Sequence, residues 1–388
     1  DNIDTYSYPE IAYALIRQFV GDEIPEKELK HIIQDTLNFD FPLVEIEKDM
    51  YSLELYHGPT MAFKDVGGRF MARCLSYFNR EQVNEVTVLV ATSGDTGGAV
   101  ASGFLGVKGV NVVILYPSGK VSEVQEKQLT TLGQNIKALE VEGTFDDCQA
   151  MVKQAFMDQE ICDRMQLTSA NSINVARWLP QMFYFAFAYK QLKDRSKKLV
   201  FSTPSGNFGN ICAGVMAQQL GLPVTHFIAS TNANRVVPNF MVNGEYTPLK
   251  SVATISNAMD VGDPSNFIRI REIYDNDFEL IKENLSSYSF SDDQTKEAML
   301  KVYKELDYIM DPHGAVGYLG LKQYTKNLPD TQGIFLETAH PVKFLEVVEP
   351  VIDKRIDLPV QIQEVIDKPK KALFITNYQE LKDFLIKG

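Results

Sequence analysis

Residues 86–98 read VTVLVATSGDTGG, a strand that is apolar apart from Thr87 and that runs into a turn rich in glycine and hydroxyl groups. Strands that are apolar on both faces are typical of parallel sheets covered by helices on each side. Beyond this turn the pattern predicts helices at about 96–106, 122–132 and 145–157, and strands at 110–115 and 136–141. This alternation predicts a doubly wound α/β lobe.

The same alternation of strands and helices recurs after residue 170. The pattern predicts one long helix over 174–193, strands at 198–203 and 224–230, and a helix at 210–220 that follows a Gly/Asn turn. Ahead of both blocks it predicts helices at 11–20, 26–37 and 66–78 and short strands at 41–46 and 51–56. The fold class is therefore predicted as α/β, with two doubly wound lobes built on mainly parallel sheets.

The predicted domain organisation has three parts. Residues 1–85 form an N-terminal helical segment with a strand, a turn and a helix at its end, 86–170 form the smaller α/β lobe, and 171–388 form the larger lobe with a C-terminal extension. Within the larger lobe, residues 244–266 are rich in Asn, Gly, Asp and Pro and predict an irregular loop. The tail from Lys354 onwards is polar and is expected to be peripheral.

Charge and cysteine content exclude several classes of protein. The 388 residues contain 38 Lys and Arg against 51 Asp and Glu, a net charge of −13, so we expect no binding to nucleic acid or to an anionic membrane. Four cysteines without CxxC spacing predict neither a disulfide framework nor a metal site, and favour the cytoplasm. The chain begins at Asp1 and not at Met, so we expect residues upstream of it.

The first candidate site is the ATSGDTGG turn at 91–98, where a buried strand passes into a helix. Backbone N–H groups and hydroxyls converge at such a turn, and the helix dipole favours an anion there. Ligands of open α/β sheets bind at this carboxyl edge of the strands. The alternative is a tight connection in which Ser and Thr only cap the helix.

The second candidate site is TPSGNFGN at 203–210, again between a strand and a helix. It matches neither the Walker A pattern nor GxGxxG. Gly206 and Gly209 allow close backbone approach, while Ser205, Asn207 and Asn210 add side-chain donors. We interpret this as a phosphate site without a cation, the alternative being an ordinary Asn/Gly loop.

Lys64, in HGPTMAFKD at 57–65, is the candidate for covalent chemistry. An apolar Met-Ala-Phe run precedes it and a predicted helix begins next to it, and both features would lower the pKa of its ammonium group. A lysine that forms an imine needs such a lowered pKa. The alternative is a solvated surface lysine. Thr338 follows a late strand and adds a hydroxyl at the same predicted edge. An imine-forming lysine, a phosphate site without a cation and this hydroxyl together indicate pyridoxal phosphate.

The chain resembles the threonine synthase family of fold type II (tryptophan-synthase-β-like) pyridoxal-phosphate enzymes. The motifs that carry the resemblance fall in order along most of the chain: HGPTMAFKD (57–65), ATSGDTGGAVA (91–101), NSINVARWLPQ (171–181), SGNFGN (205–210), ISNAMDVGDPSNF (255–267), DPHGAVG (311–317) and TAHPVKF (338–344). The family fold is a pair of α/β lobes with the cofactor in the cleft between them. The family also has an additional N-terminal segment, which fits upstream residues.

The resemblance implies a role for each candidate residue. Lys64 would bind the cofactor covalently and act in catalysis, Thr338 would bond the pyridine nitrogen, and Asp95 would lie beside the phenolic oxygen, where an acidic group has no settled role. Backbone amides would hold the cofactor phosphate along the loop of Ser205, Gly206, Asn207, Phe208, Gly209 and Asn210. Ser93 and Thr96 would contact the substrate carboxylate, and Arg177 with Asn174 the substrate phosphate; Lys343 and His313 are weaker candidates for that phosphate.

The reaction implied is the conversion of O-phospho-L-homoserine and water to L-threonine and phosphate. The partners expected are therefore this small molecule and, at most, a second copy of the chain, as monomer or homodimer. The alternatives are a serine/threonine dehydratase or a similar lyase of the same fold, and a catalytically idle protein that binds a phosphorylated metabolite. A nucleotide-binding oxidoreductase is disfavoured because neither glycine-rich turn reads GxGxxG.

Overall fold

The computed structural model describes residues 3–81 and 85–387, and they form two compact units. The first unit consists of Asp1–Phe63 and Trp178–Ile356, and the second of Lys64–Arg177 and Asp357–Gly388. The chain therefore crosses from the first unit to the second directly before Lys64 and returns after Arg177.

In chain order, the strands of the described residues are β1 Leu43–Glu47, β2 Met50–Glu54, β3 Val86–Ala91, β4 Val110–Pro117, β5 Ile136–Val141, β6 Gln166–Ser169, β7 Lys198–Pro204, β8 His226–Thr231, β9 Leu285–Ser289, β10 Thr331–Glu337 and β11 Leu373–Ile375. The α-helices are α1 Tyr8–Val20, α2 Glu26–Thr36, α3 Lys64–Asn79, α4 Asp95–Phe104, α5 Glu123–Thr130, α6 Phe145–Met157, α7 Gln159–Arg164, α8 Val175–Trp178, α9 Met182–Gln191, α10 Gly209–Gln219, α11 Val236–Asn243, α12 Phe267–Ile273, α13 Phe278–Asn284, α14 Asp292–Leu306, α15 Pro312–Thr325, α16 Leu345–Ile352, α17 Val360–Ile366 and α18 Tyr378–Lys387. Short 3₁₀ turns occupy Ile3–Thr5, Leu179–Gln181, Asn257–Met259 and Pro341–Phe344.

The first unit is built on a six-stranded sheet in the order β1-β2-β10-β7-β8-β9. Only the β1–β2 hairpin is antiparallel among these pairs. Strand side chains alternate between two apolar layers: Val200, Ile228 and Phe335 pack with α15, whereas Phe201 and Phe227 pack against Phe185 of α9. Both faces are thus covered, as the near-continuous apolar strands require.

The second unit is built on a five-stranded parallel sheet in the order β11-β5-β4-β3-β6. Val88 and Val90 of β3 pack with the layer that contains α4, and the alternate residues Leu89 and Ala91 pack with the layer of α6 and α18. The prediction of α/β units with mainly parallel, doubly covered sheets is confirmed.

The structure differs from the predicted elements in three places. The helix predicted over 174–193 is interrupted, because Pro180 lies in a 3₁₀ turn between α8 and α9 and cannot donate a helical hydrogen bond. The tail after Lys354 is not peripheral, since β11 pairs with β5 and Leu381 of α18 is fully buried. Residues 357–388 and the helix that begins at Lys64 consequently pack with 85–177 rather than as the separate segments predicted.

Membrane-spanning helices and metal-binding clusters are both absent from residues 3–81 and 85–387. No helix there has the length and apolarity that a membrane span needs. No group of His, Cys, Asp and Glu side chains in this part of the chain is arranged to hold a metal ion.

Candidate active site

The segment that leads into Lys64 is held by backbone pairing with the segment that follows β10. Phe63 N–H donates to the Thr338 carbonyl at 2.8 Å, and His340 N–H donates to the Met61 carbonyl at 3.0 Å. The Tyr184 hydroxyl also donates to the Phe63 carbonyl. The residue before Lys64 is therefore fixed against the backbone of Thr338, a contact that sequence reasoning did not foresee.

Lys64 is the first residue of α3 and is half-buried. Two glycines in the next turn allow α3 to approach its neighbours closely. A Cβ on Gly68 would lie 2.7 Å from the Ala99 carbonyl oxygen, and a Cβ on Gly67 would overlap the Arg177 carbonyl. Side chains there would separate the helices, so these glycines fix α3, and with it Lys64, on α4 and on the backbone of Arg177.

The loop between β7 and α10 contains the predicted phosphate site. Phe208 has φ 63°, which is a left-handed conformation that costs energy for a residue other than glycine. A Cβ on Gly206 would lie 2.7 Å from both the Ala258 carbonyl oxygen and Met259 Cα. The backbone here follows a strained path that leaves no room for another side chain, which is typical of loops shaped for a ligand.

Side chains hold this loop in shape. The Asn210 amide donates to the Pro204 carbonyl at 2.8 Å, and the Ser205 hydroxyl donates to the Thr203 carbonyl at 2.9 Å. Asn207 Oδ1 accepts from both the N–H and the hydroxyl of Ser265, at 2.7 and 2.8 Å. The predicted side-chain donors of Ser205 and Asn210 are thus directed at the protein itself.

Backbone donors remain at the same loop. Among the described residues, no hydrogen bond is made by the N–H groups of Gly206, Phe208, Gly209 and Asn210. The first N–H groups of a helix have no partner within the helix, and the helix dipole favours an anion beside them. This arrangement suits a bound phosphate without any cationic side chain.

The Thr338 hydroxyl follows the last residue of β10. The residue is 5% exposed, and its hydroxyl makes no hydrogen bond within the described part of the chain. A buried hydroxyl normally has a partner. Thr338 is therefore a buried residue whose hydroxyl has no partner among the described residues.

The 91–98 turn is shaped by two residues that the sequence analysis did not assign. Thr92 Oγ1 accepts from the N–H groups of Gly94 and Gly97, at 2.9 and 2.8 Å. Asn171 bonds both backbone groups of Ala91, donating to its carbonyl at 2.7 Å and accepting from its N–H at 3.2 Å. The Asn171 amide thus continues the sheet beyond the last residue pair of β3 and β6. A spacing of 80 residues leaves no sequence signal for this contact.

The predicted ligand contacts of this turn fall into two groups. The hydroxyls of Ser93 and Thr96 are half-buried and form no hydrogen bond with another described residue. The Asp95 carboxylate is 3% exposed and accepts from the Gln125 amide at 3.0 Å. Asp95 opens α4, where the helix dipole favours its negative charge.

Arg177 and Asn174 lie at α8. The Arg177 side chain is 2% exposed, and its guanidinium donates to the Ala170 carbonyl. Asn174 uses both ends of its amide locally, donating to the Ser169 carbonyl at 3.0 Å and accepting from Ala176 N–H at 3.0 Å. A guanidinium has five N–H donors in a planar fork, a geometry that matches the oxygens of a phosphate group.

Ionisable groups of the first unit cluster around residues 57–63. Burial raises the pKa of Glu54, but hydrogen bonds from His57 and from neighbouring tyrosines outweigh burial and hold it below its ordinary value. Burial lowers the pKa of His340 to about 4, so this side chain is neutral. Lys343 is fully buried and its Nζ donates to the Thr60 carbonyl at 3.0 Å. These contacts direct Lys343 at the protein and not at an open site.

Family models match nearly the whole chain. A model described as pyridoxal-phosphate dependent enzyme matches residues 43–336, a model of the threonine synthase N terminus matches 1–37, and a model of the threonine synthase C-terminal region matches 314–385. The threonine synthase of Serratia marcescens is 46% identical over 374 residues, which is 96% of this chain and 86% of that protein. The threonine synthase of Escherichia coli K12 is 46% identical over 356 residues, 92% of this chain and 82% of its own length.

Solved structures agree with these matches. The crystal structure of Escherichia coli threonine synthase superposes with a TM-score of 0.94 at 43% identity, over 99% of this chain and 89% of that one. A pyridoxal-phosphate-bound threonine synthase from Brucella melitensis gives a TM-score of 0.91 at 32% identity, over 98% and 88%. The fold is therefore that of the fold type II enzymes, and pyridoxal phosphate is the cofactor of the family. The chain belongs to the threonine synthase family of pyridoxal-phosphate-dependent enzymes.

Proposed function

We propose that this protein converts O-phospho-L-homoserine and water to L-threonine and phosphate, as a carbon–oxygen lyase that acts on a phosphate ester. The observation that carries the proposal is the pairing of residues 61–63 with 338–340, which fixes the backbone next to Lys64 against Thr338. The chain is 46% identical to a threonine synthase over nearly its full length. In such a chain, this pairing supports the assignment of Lys64 as the residue that binds the cofactor and acts in catalysis.

The residues present fit pyridoxal phosphate. Four backbone N–H groups at 206–210 lack a protein partner among the described residues, as expected where a phosphate would bind. The unpartnered Thr338 hydroxyl suits the pyridine nitrogen, because a neutral hydroxyl does not force a proton onto that nitrogen. Lys64 would hold the aldehyde carbon through its Nζ, with Asp95 kept near the phenolic oxygen by its bond from Gln125.

When bound, pyridoxal phosphate supplies an electron sink that stabilises negative charge at the substrate's Cα. Lys64, as a neutral amine, would take the proton from Cα, pass it on, and then take a second proton from Cβ while phosphate leaves from Cγ. A proton would be delivered to Cγ, which becomes the methyl group, and water would add its hydroxyl at Cβ and give its proton to the released phosphate. Return of a proton to Cα completes threonine, and Lys64 is the side chain proposed to move these protons.

The residues proposed to bind the substrate belong to the second unit. Ser93 and Thr96 would donate to the substrate carboxylate through their hydroxyls. Arg177 would bind the departing phosphate, because a guanidinium pairs with phosphate oxygens bidentately. Asn174 supports Arg177 by capping the start of α8, so its contribution to substrate binding is through position.

The proposal also places the enzyme in the cytoplasm as a monomer or homodimer. All four cysteines are free thiols, which suits a reducing compartment.

The test is release of inorganic phosphate from O-phospho-L-homoserine by purified protein, with threonine identified as the co-product. Serine and threonine serve as control substrates, because a dehydratase would convert them to keto acids. Phosphate and threonine in equal amounts support the proposal. Keto acid formed from serine or threonine without phosphate release would identify the protein as a dehydratase. No turnover of O-phospho-L-homoserine, serine or threonine would identify it as a catalytically idle protein that binds a phosphorylated metabolite.

A further inference from the structure

His313 is a buried side chain that the proposed function does not use. It lies in the first turn of α15 and is 2% exposed. Its Nδ1 lies 2.5 Å from Oδ1 of Asp311, which is fully buried, and its Nε2 lies 3.2 Å from the backbone nitrogen of Ala258. Because Ala258 N–H can only donate, Nε2 is the acceptor and Nδ1 carries the proton that is donated to Asp311.

Asp311 is fixed in position by further hydrogen bonds. Its carboxylate also accepts from the N–H groups of His313 and Gly314, at 2.8 and 3.1 Å, and so caps α15. The neighbouring Glu337 is fully buried, and both of its carboxyl oxygens lack a hydrogen-bond partner among the described residues. A buried carboxyl group without a hydrogen-bond donor favours its neutral form. Burial and the charge of Asp311 raise the pKa of Glu337 accordingly.

On its other side, the His313 ring contacts Ala258, which lies next to the loop assigned to the cofactor phosphate. Ala258 belongs to the 3₁₀ turn Asn257–Met259. This turn abuts Gly206, where a Cβ would come within 2.7 Å of two of its backbone atoms. The segment that follows the turn also bonds Asn207, through Ser265 at 2.7 Å. A displacement of the turn would therefore displace the unpartnered N–H groups.

We infer that His313, held in one tautomer by Asp311, is a positioning residue that supports the phosphate end of the cofactor through the turn at Asn257–Met259. This inference rests on the proposed role of the 205–210 loop.

The test compares binding of pyridoxal phosphate with binding of pyridoxal, which lacks the phosphate, by equilibrium dialysis of the full chain. His313→Asn keeps the donor toward Asp311 but is too short to accept from Ala258. We expect it to raise the Kd for pyridoxal phosphate about tenfold, and to leave the Kd for pyridoxal within about twofold of the wild-type value. His313→Gln restores an acceptor near the Nε2 position and is expected to recover most of the affinity.

His226→Asn is the matched control. His226 is also buried, at 5% exposure, and its ring bonds the Glu283 carbonyl and the Ser286 hydroxyl, away from the loop. Its replacement should change neither Kd. If His313→Asn does not fold, Asp311→Asn keeps a side chain that caps helices and removes the charge that selects the tautomer; a rise in the Kd for pyridoxal phosphate alone is again the expected result.

Three results would overturn the inference. These are an unchanged Kd for pyridoxal phosphate, an equal loss of affinity for both ligands, and a failure of His313→Gln to improve on His313→Asn. A fourth result separates the inference from its premise: if wild-type protein binds pyridoxal as tightly as pyridoxal phosphate, the loop does not hold the phosphate and the inference falls with it.

Discussion

At the scale of single residues, the candidate site depends on groups whose partners are backbone atoms. Lys64 is placed by the hydrogen bonds of Phe63, and Arg177 is anchored by the Ala170 carbonyl. The fully buried Lys343 is held in the same way, because its Nζ donates to the Thr60 carbonyl.

Arg177→Ala is expected to lower kcat/KM for O-phospho-L-homoserine while the protein keeps its cofactor. Removing one partner of a desolvated charge pair costs about 2–5 kcal/mol, and here the partner is the substrate phosphate. The measurements are steady-state kinetics and the visible absorbance of the purified protein. Arg164→Ala is the control, since Arg164 is 56% exposed and pairs only with Glu160 among the described residues. Equal loss of cofactor and turnover in Arg177→Ala would contradict the assigned role.

At the scale of elements, much of the second unit could be predicted from the sequence. The strands Val86–Ala91 and Ile136–Val141 and the helix Phe145–Met157 lie at the predicted residues. Their apolar periodicity is local, so the sequence carries the signal directly. The single helix predicted over 174–193 is wrong. The prediction followed the apolar periodicity of this stretch, whereas Pro180 interrupts the helix because it has no N–H group to donate.

Long-range contacts of the site could not be predicted in the same way. The pairing of Phe63 with Thr338 joins residues 275 positions apart, and the bond of His313 to Ala258 spans 55 positions. No local pattern encodes such partners, because both depend on how the whole sheet is assembled. The glycine-rich turns were recognisable from the sequence as strand-to-helix connections, whereas the residues that shape the first of them, such as Asn171 and Thr92, were not.

The C-terminal helix α18 provides a prediction at the element scale. Leu381→Ala is expected to destabilise the protein by about 2–5 kcal/mol, because the side chain is fully buried in the core with Leu139 and Val152. Leu373→Ala, at a side chain 50% exposed, is the control and should change stability by less than about 0.5 kcal/mol. Unfolding in urea measures both. A tail that is peripheral would instead give two equally small changes.

At the scale of the whole molecule, buried ionisable groups act on acid stability in opposite directions. Burial lowers the pKa of His226 and His340 to about 4. Each contributes stability above the unfolded pKa of about 6.5, and this stability is lost as pH falls towards 4. Glu337 and Asp260 have raised pKa values, because burial disfavours their charged forms. Their contribution is present at low pH and is lost as pH rises, so the two effects partly cancel.

His226→Gln isolates one of these groups. The variant lacks the histidine that must stay neutral in the fold, so its stability relative to wild type should improve as pH falls from about 6.5 to about 4, by up to about 1.4 kcal/mol per pH unit. Urea unfolding of both proteins across this range provides the measurement. A stability difference that does not change with pH would show that folding does not lower the pKa of His226.

The central claim is that Lys64 carries the cofactor. The most direct measurement is reduction of the purified protein with borohydride, followed by peptide mapping, with Lys64→Ala treated in parallel. We predict a stable phosphopyridoxyl group on the peptide that contains Lys64, and none on the variant. The same group on another lysine, or a fully active wild-type protein that takes up none, would contradict the account.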